Sequence, residues 1–447
     1  MSIPRVLLAP THRTGLADAV AATVAEIVTA NGQQVRYHHL GPLGPQSAWD
    51  RWEGTAFIDP SLYSREALLS LYGVATRGAA LSLISSSVGL LDRQEGASWI
   101  AADVARLLDC PVVVVMDCSD WGAGVRILAS GLRLQLKDVN LAGAVLSGVA
   151  DKDHFMLLRQ VLTDERIPVV GCLFEGDGPG WKAAAPGAWG LPLEASLLDA
   201  VSRQVDIGGL VSLAGQRGFL PSQTALVDRG ADGPMVAVAG GKGFTPWSRD
   251  SIEVLRAAGA QVRRLDLLDD TGLPAGTAGL ILAGTLWQTA VADIAMNTSL
   301  LSDIRRRVTN GLPTLALGGG MLLLLERVHD SLGRSSDLAG VIPTEAEILW
   351  DAEEPVYVEL VATVDGPLFA KGDSVTGWAL TEAEVMAPGA GWEPAFVVGG
   401  EGEGAGRPEG FGSGSLTAGR VLVHLASVAD MAPRFVRTCA DYAAGVH

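Results

Sequence analysis

The chain has 447 residues, 48% of them hydrophobic and 19% charged, enough for two or three domains with large cores and too apolar for a disordered polymer. Its net charge of −17, with no basic stripe to offset it, argues against nucleic acid, and no apolar run is long enough to span a membrane. Four scattered cysteines (Cys110, Cys118, Cys172, Cys439) lack metal-ligand spacing, and the N-terminus passes straight into a strand pattern without a cleavage signal; these predict reduced core thiols, no metal and a cytoplasmic location.

The first half alternates two periodicities. Arg5–Ala9 reads as a strand and Ala17–Ala30 as a helix, followed by a strand at Gln34–His38. Further strands are predicted at Ala80–Ser85, Pro111–Asp117, Leu141–Leu146 and Pro168–Cys172, with helices near Ser64–Thr76, Ser98–Leu108, Val125–Leu136 and His154–Thr163. Continuous apolar strands separated by helices predict a doubly wound parallel sheet covered on both faces. Two short helical patterns between Leu191 and Leu213 close this unit. Domain 1–215, linker 216–233 and a second α/β domain 234–447 follow from the glycine-punctuated polar stretch between them.

The second series runs Met235–Ala239 (strand), Ser248–Ala258 (helix), Gln261–Leu265 and Gly279–Ala283 (strands) and Leu300–Thr309 (helix). Pro313–Leu317 then reads as an apolar strand, Gly318, Gly319 and Gly320 as a turn, and the residues after it as an apolar helix start. In α/β proteins such a strand-to-helix turn presents a nucleophile at the sheet's carboxyl end; this one carries no side chain. Strands at Val356–Ala362, Ala395–Val398 and Val421–His424 and a helix over Asp430–Tyr442 complete the chain, with a mobile loop expected at Gly399–Gly414.

The whole chain resembles the cobyrinic acid a,c-diamide synthase family. The resemblance is carried by Val88–Asp92, Ala101–Asp117, Asp138–Leu146, Gly406–Phe411, His424–Ser427 and Arg434–Val436. It implies an ATP-binding (dethiobiotin synthetase-like, P-loop-like) domain fused to a class I glutamine amidotransferase-like domain, amidating corrin carboxylates with ammonia taken from glutamine.

Both implied sites depart from the family pattern. A phosphate loop needs glycines whose N–H groups cradle oxygens, then Lys and Ser/Thr. Here the stretch is Thr11–Val20, with Ala17 at the lysine position, Asp18 at the hydroxyl position, and only Gly15 left of the glycines, one place off register. A carboxylate about 4 Å from a phosphate charge costs roughly 4 kcal/mol at an effective dielectric near 20, so ATP and magnesium are not expected. The family's Glu-Gly, Gly-Pro-Asp and Asn-Arg segments read Ser85-Ser86, Gly41-Pro42-Leu43 and Ser147-Gly148, while Asp92 and Asp117 persist as ligand or turn residues. His12 and Arg13 are additions that suit an altered anion site for a carboxylate or monophosphate, or stand as plain loop residues.

In the glutaminase half the nucleophile motif reads Leu317-Gly318-Gly319-Gly320, leaving no attacking atom; loss of a nucleophile costs about a million-fold in hydrolases. His424 matches the family's histidine and is expected to be a leftover core residue. The oxyanion loop reads Ala283–Gln288, and a substrate-facing motif reads Gly377–Thr381, so that Leu286, Trp287, Trp378 and Leu380 are apolar replacements suited to a flat macrocycle or a protein surface. The expectation is a catalytically degenerate homologue that binds a corrinoid or other tetrapyrrole, or a partner protein, as a homodimer or hetero-oligomer. The alternatives are an active, ammonia-using, ATP-dependent diamide synthase of cobalamin biosynthesis and a regulatory subunit of an active paralogue.

Overall fold

The computed structural model describes residues 3–41, 56–176, 195–216, 220, 232–246, 248–349, 356–379, 383–386, 392–399 and 406–445. The chain divides into two compact units, Met1–Pro60 with Leu68–Ala225, and Ser61–Ala67 with Leu226–His447. The linker expected at 216–233 lies largely outside the described residues.

In the first unit the strands are β1 (Arg5–Pro10), β2 (Val35–Leu40), β3 (Ala56–Ile58), β4 (Leu81–Ser86), β5 (Val112–Asp117), β6 (Leu141–Val149) and β7 (Val169–Phe174). They form one sheet in the order β3-β2-β4-β1-β5-β6-β7, every neighbouring pair parallel. The helices are α1 (Leu16–Ala30), α2 (Arg65–Ala75), α3 (Ala101–Leu108), α4 (Val125–Gln135), α5 (Lys152–Asp164), α6 (Ala195–Gln204) and α7 (Ile207–Ala214). The uninterrupted Val112–Met116 run is at most 1% exposed, because β5 has sheet neighbours on both sides and helices above and below. Strand β3, only three residues long, gives no periodic signal and is absent from the sequence reading.

The second unit opens with β8 (Met235–Ala239), β9 (Phe244–Pro246), α8 (Arg249–Ala257), β10 (Gln261–Leu265), β11 (Thr277–Leu286), α9 (Val291–Met296), α10 (Thr298–Thr309), β12 (Thr314–Gly318) and α11 (Gly319–Leu322). Its main sheet runs β10-β8-β11-β12, then strands Leu416–Gly419 and Phe411–Gly412, with β9 antiparallel to β11. Two smaller sheets of four and five strands use the segments from Leu325 onward.

Two expectations change here. Gly319 and Gly320, expected in the turn, instead open the four-residue α11 (Gly319–Leu322), and the apolar run then enters strand Leu325–His329. That run is buried on every side, and it takes up ladder bonds, with the N–H groups of Val341 and Ile342 donating to Leu324 O. The expected loop Gly399–Gly414 carries strands Pro408–Glu409 and Phe411–Gly412, anchored by the 4%-exposed Glu409 paired with Arg420 at 2.9 Å; residues 400–405 lie outside the described set.

Candidate functional site

At the carboxyl edge of the first sheet, Gly15 is the N-cap of α1 and Asp18 stands in its first turn. The sequence reading sets this carboxylate against an incoming polyanion. In the structure it points inward and is 1% exposed. Ser85 donates its hydroxyl to Asp18 Oδ1, which leaves Tyr37 as the donor across the 2.6 Å contact with Ser85 Oγ. His39 Nε2 lies 3.3 Å from the same carboxylate oxygen. The register explains the convergence: His39 is the direct partner of Ser85 across β2 and β4, and Tyr37, two residues earlier, shares its face. Burial first, then the Asp18 charge, pushes the Tyr37 phenol well above its ordinary value, while the bond to Ser85 pulls the other way.

The loop before α1 is tied down by its own backbone. Thr11 N donates to Val115 O, Thr14 N to Ser87 O, and Leu90 N returns to Pro10 O. Ala17, at the position aligned with lysine, is wholly buried in the apolar core with Leu8 and Val20, facing away from any loop-bound anion. His12 and Arg13 are exposed, and Thr11 Oγ1 sits 3.2 Å from His12 Nδ1. Asp92 is exposed with its carboxylate folded over Gly89, where an added Cβ would lie 2.2 Å from it. Asp117 takes the turn role: Oδ1 accepts from Ser119 N at 3.0 Å and Ser119 Oγ at 2.6 Å.

In the second unit, Gly318 ends β12 and caps α11 with φ 60° and ψ −131°, a backbone region open essentially to glycine. Its position matches the strained turn on which α/β hydrolytic enzymes mount a nucleophile. Four of the six residues of the expected oxyanion loop are in a strand. Ala283–Leu286 belong to β11, Gly284–Leu286 are laddered against Phe244–Pro246, and Trp287 N donates to Gly243 O at 3.0 Å.

His424 is fully buried. Its Nδ1 accepts from Ala426 N at 3.1 Å, so the proton sits on Nε2, which donates to Ser248 Oγ at 3.1 Å. Ser248 is itself the N-cap of α8 and accepts from Ser251 N. An apolar cavity beside the pair is lined by Val238, Ser248, Ser251, Ile281, Leu315 and Leu425. The sequence reading does not single out Ser248, Tyr37 or His39 as site residues. Ser248 is visible as a capping residue before a helical run, and Tyr37 and His39 as polar residues two apart in a strand.

Burial lowers the His424 pKa to about 3. The unfolded chain binds this proton near pH 6.5 and the folded chain does not, so stability is lost as pH falls below 6.5. Between pH 7 and 5 the loss from this one group is about 2 kcal/mol. His424→Gln is expected to flatten the acid limb of a stability-versus-pH curve by that amount; an unchanged slope would mean that the ring titrates freely in the folded protein.

Two residues expected to face a ligand are buried. Trp378 is 0% exposed and packs edge-on against Tyr357, and Leu286 is 5% exposed in the core. Leu380 lies outside the described residues. Trp287 is half-buried, with Nε1 donating to Thr245 Oγ1 at 2.9 Å. Among the described residues no group of three or more His, Cys, Asp or Glu is placed to hold a metal, and no helix is long and apolar enough to cross a membrane.

No family model matches the chain. Among curated proteins it is similar to the hydrogenobyrinate a,c-diamide synthase of Thermobifida fusca, 29% identical over 97% of this chain and 96% of the other. It is also similar to the cobyrinate a,c-diamide synthase of Caldanaerobacter subterraneus (26%, covering 93% and 94%) and the hydrogenobyrinate a,c-diamide synthase of Streptomyces coelicolor (28%, covering 98% of each). Among solved structures, PurLQS from Thermotoga maritima matches with TM-score 0.35 at 14% identity, over 48% of this chain and 98% of that one.

Proposed function

Since the chain belongs to the family of cobyrinate and hydrogenobyrinate a,c-diamide synthases, we propose that it holds a corrinoid-type tetrapyrrole without amidating it. The observation that carries this reading is Gly318, a residue with no attacking atom held in the strained conformation of a nucleophile turn. The nucleotide half supports it. Where triphosphate chemistry needs a lysine and a hydroxyl, Ala17 is in the core and the Asp18 carboxylate is engaged with Ser85 and His39. The exposed His12 and Arg13 are hydrogen-bonding side chains suited to the carboxylates that the relatives' names describe as amidated.

The test is titration of the purified protein with cobyrinate, read by its visible absorption, alongside incubation with ATP, Mg²⁺ and ammonia or glutamine. A saturable spectral shift, weakened at least about tenfold by a combined His12→Ala and Arg13→Ala change (about 1.4 kcal/mol), with no amide product, is expected. An amide product would reverse the reading in favour of ammonia-dependent amidation. Absence of a shift would remove the tetrapyrrole, and co-purification with an active paralogue would then assign a regulatory subunit.

A further inference from the structure

Nine large hydrophobic side chains are markedly exposed among the described residues, and five of them cluster on one pair of helices: Trp121, Ile127, Leu134, Met156 and Leu157. Helix α4 buries Val125, Ala129 and Leu132, whereas Ile127 (77% exposed) and Leu134 (62%) stand about 180° round the helix from that face. The outward positions Ala123, Ile127, Ser130, Gly131 and Leu134 carry no charge, and a Cβ at Gly131 would meet nothing within 4 Å. Helix α5 is fixed alongside by Arg126–Asp164 at 2.8 Å and by His154 Nε2 donating to Trp121 O at 2.6 Å, so Met156 and Leu157 extend the same surface.

We infer that this face joins two copies of the chain, α4 packing antiparallel on its counterpart about a twofold axis near Ser130 and Gly131. Charge favours a second copy as the occupant. The amino-terminal end of the patch exposes Asp120, Asp151 and Asp153 with one opposing Lys152, and the carboxyl-terminal end exposes Arg133 and Lys137 beside Asp138, which is neutralised by Arg106, so antiparallel packing sets unlike net charges opposite each other at both ends. In a chain with net charge −17 an uncharged stripe between such ends is where two copies approach without repulsion. The two helices, of 11 and 13 residues, cover roughly 20 Å by 20 Å, in keeping with the footprint of about 800 Å² per partner of a stable interface. The small residues at the centre let the helix axes come close.

Light scattering on the full chain is expected to give about 93 kDa, twice 46.4 kDa. Ile127→Glu with Leu134→Glu should reduce this to the monomer at an unchanged unfolding temperature, since both side chains are exposed. All four native cysteines are buried, so mild oxidation of Gly131→Cys should yield a covalent dimer and Met296→Cys, exposed elsewhere, should not. A monomeric wild type up to about 100 µM, a dimer that survives the double glutamate change, or no cross-link at position 131 would overturn the inference. Each readout is independent of tetrapyrrole binding.

Discussion

Glutamine mixed with the purified protein is expected to survive, and Gly318→Cys is expected to leave it intact as well. The first half follows from the missing nucleophile, a loss of about a million-fold in comparable hydrolases. The second follows from the histidine. A thiol needs a base with an open lone pair, and both nitrogens of His424 are engaged, Nδ1 by Ala426 N–H and Nε2 through its own proton by Ser248. Moving a proton onto this ring is costly too, since burial holds its pKa at about 3; against the ordinary 6.5 that is about 5 kcal/mol. The segment that would supply oxyanion donors is zipped into β11 and β9. The strained backbone at position 318 costs a side chain about 1–3 kcal/mol, which a domain of this size can absorb, so the variant should fold. Ammonia release within about tenfold of the buffer blank is the expected result; a thousandfold enhancement would show that His424 can be recruited, and the locked-ring reading would fail.

The parallel sheets were legible because runs such as Val112–Met116 are apolar without alternation, a pattern that only a strand covered on both faces satisfies. The strand-to-helix turn at Gly318 was legible because three glycines after an apolar strand are a local signal. The direction in which Asp18 points was not. A first-turn acid normally faces the helix N-terminus and its solvent, and here the pull comes from Ser85 and His39, 67 and 21 positions away, brought together only by the β2–β4 register. Trp378 failed as a ligand contact for a related reason. Ser374 is exposed and Thr376 half-buried on the alternation of strand Ser374–Ala379, but Trp378, on the same side, is covered by pairing with Tyr357 and Leu422, distant in sequence.

Gly320→Ala is expected to be among the most damaging single-methyl changes in the chain, although the position touches no substrate in any reading above. Its added Cβ would lie 1.5 Å from Leu282 O and 2.4 Å from Leu282 C, both backbone atoms of the central strand β11. A flexible side chain could yield; a strand laddered on both edges cannot. Relief requires α11 to lift off the sheet by on the order of 2 Å, which opens the core around Met321, Leu322 and Leu324, all at most 4% exposed. The expected cost exceeds about 4 kcal/mol, a fall of roughly 10 °C in unfolding temperature or failure to accumulate as soluble protein. Gly318→Ala, where the backbone conformation (φ 60°, ψ −131°) sets a penalty of about 1–3 kcal/mol, should cost less. The contrast assigns separate causes to two glycines of one turn: Gly318 is needed for its dihedral angles and Gly320 for its closeness to β11. Thermal unfolding of the two variants side by side decides this, and a Gly320→Ala protein as stable as Gly318→Ala would mean that α11 does not press on β11 as described.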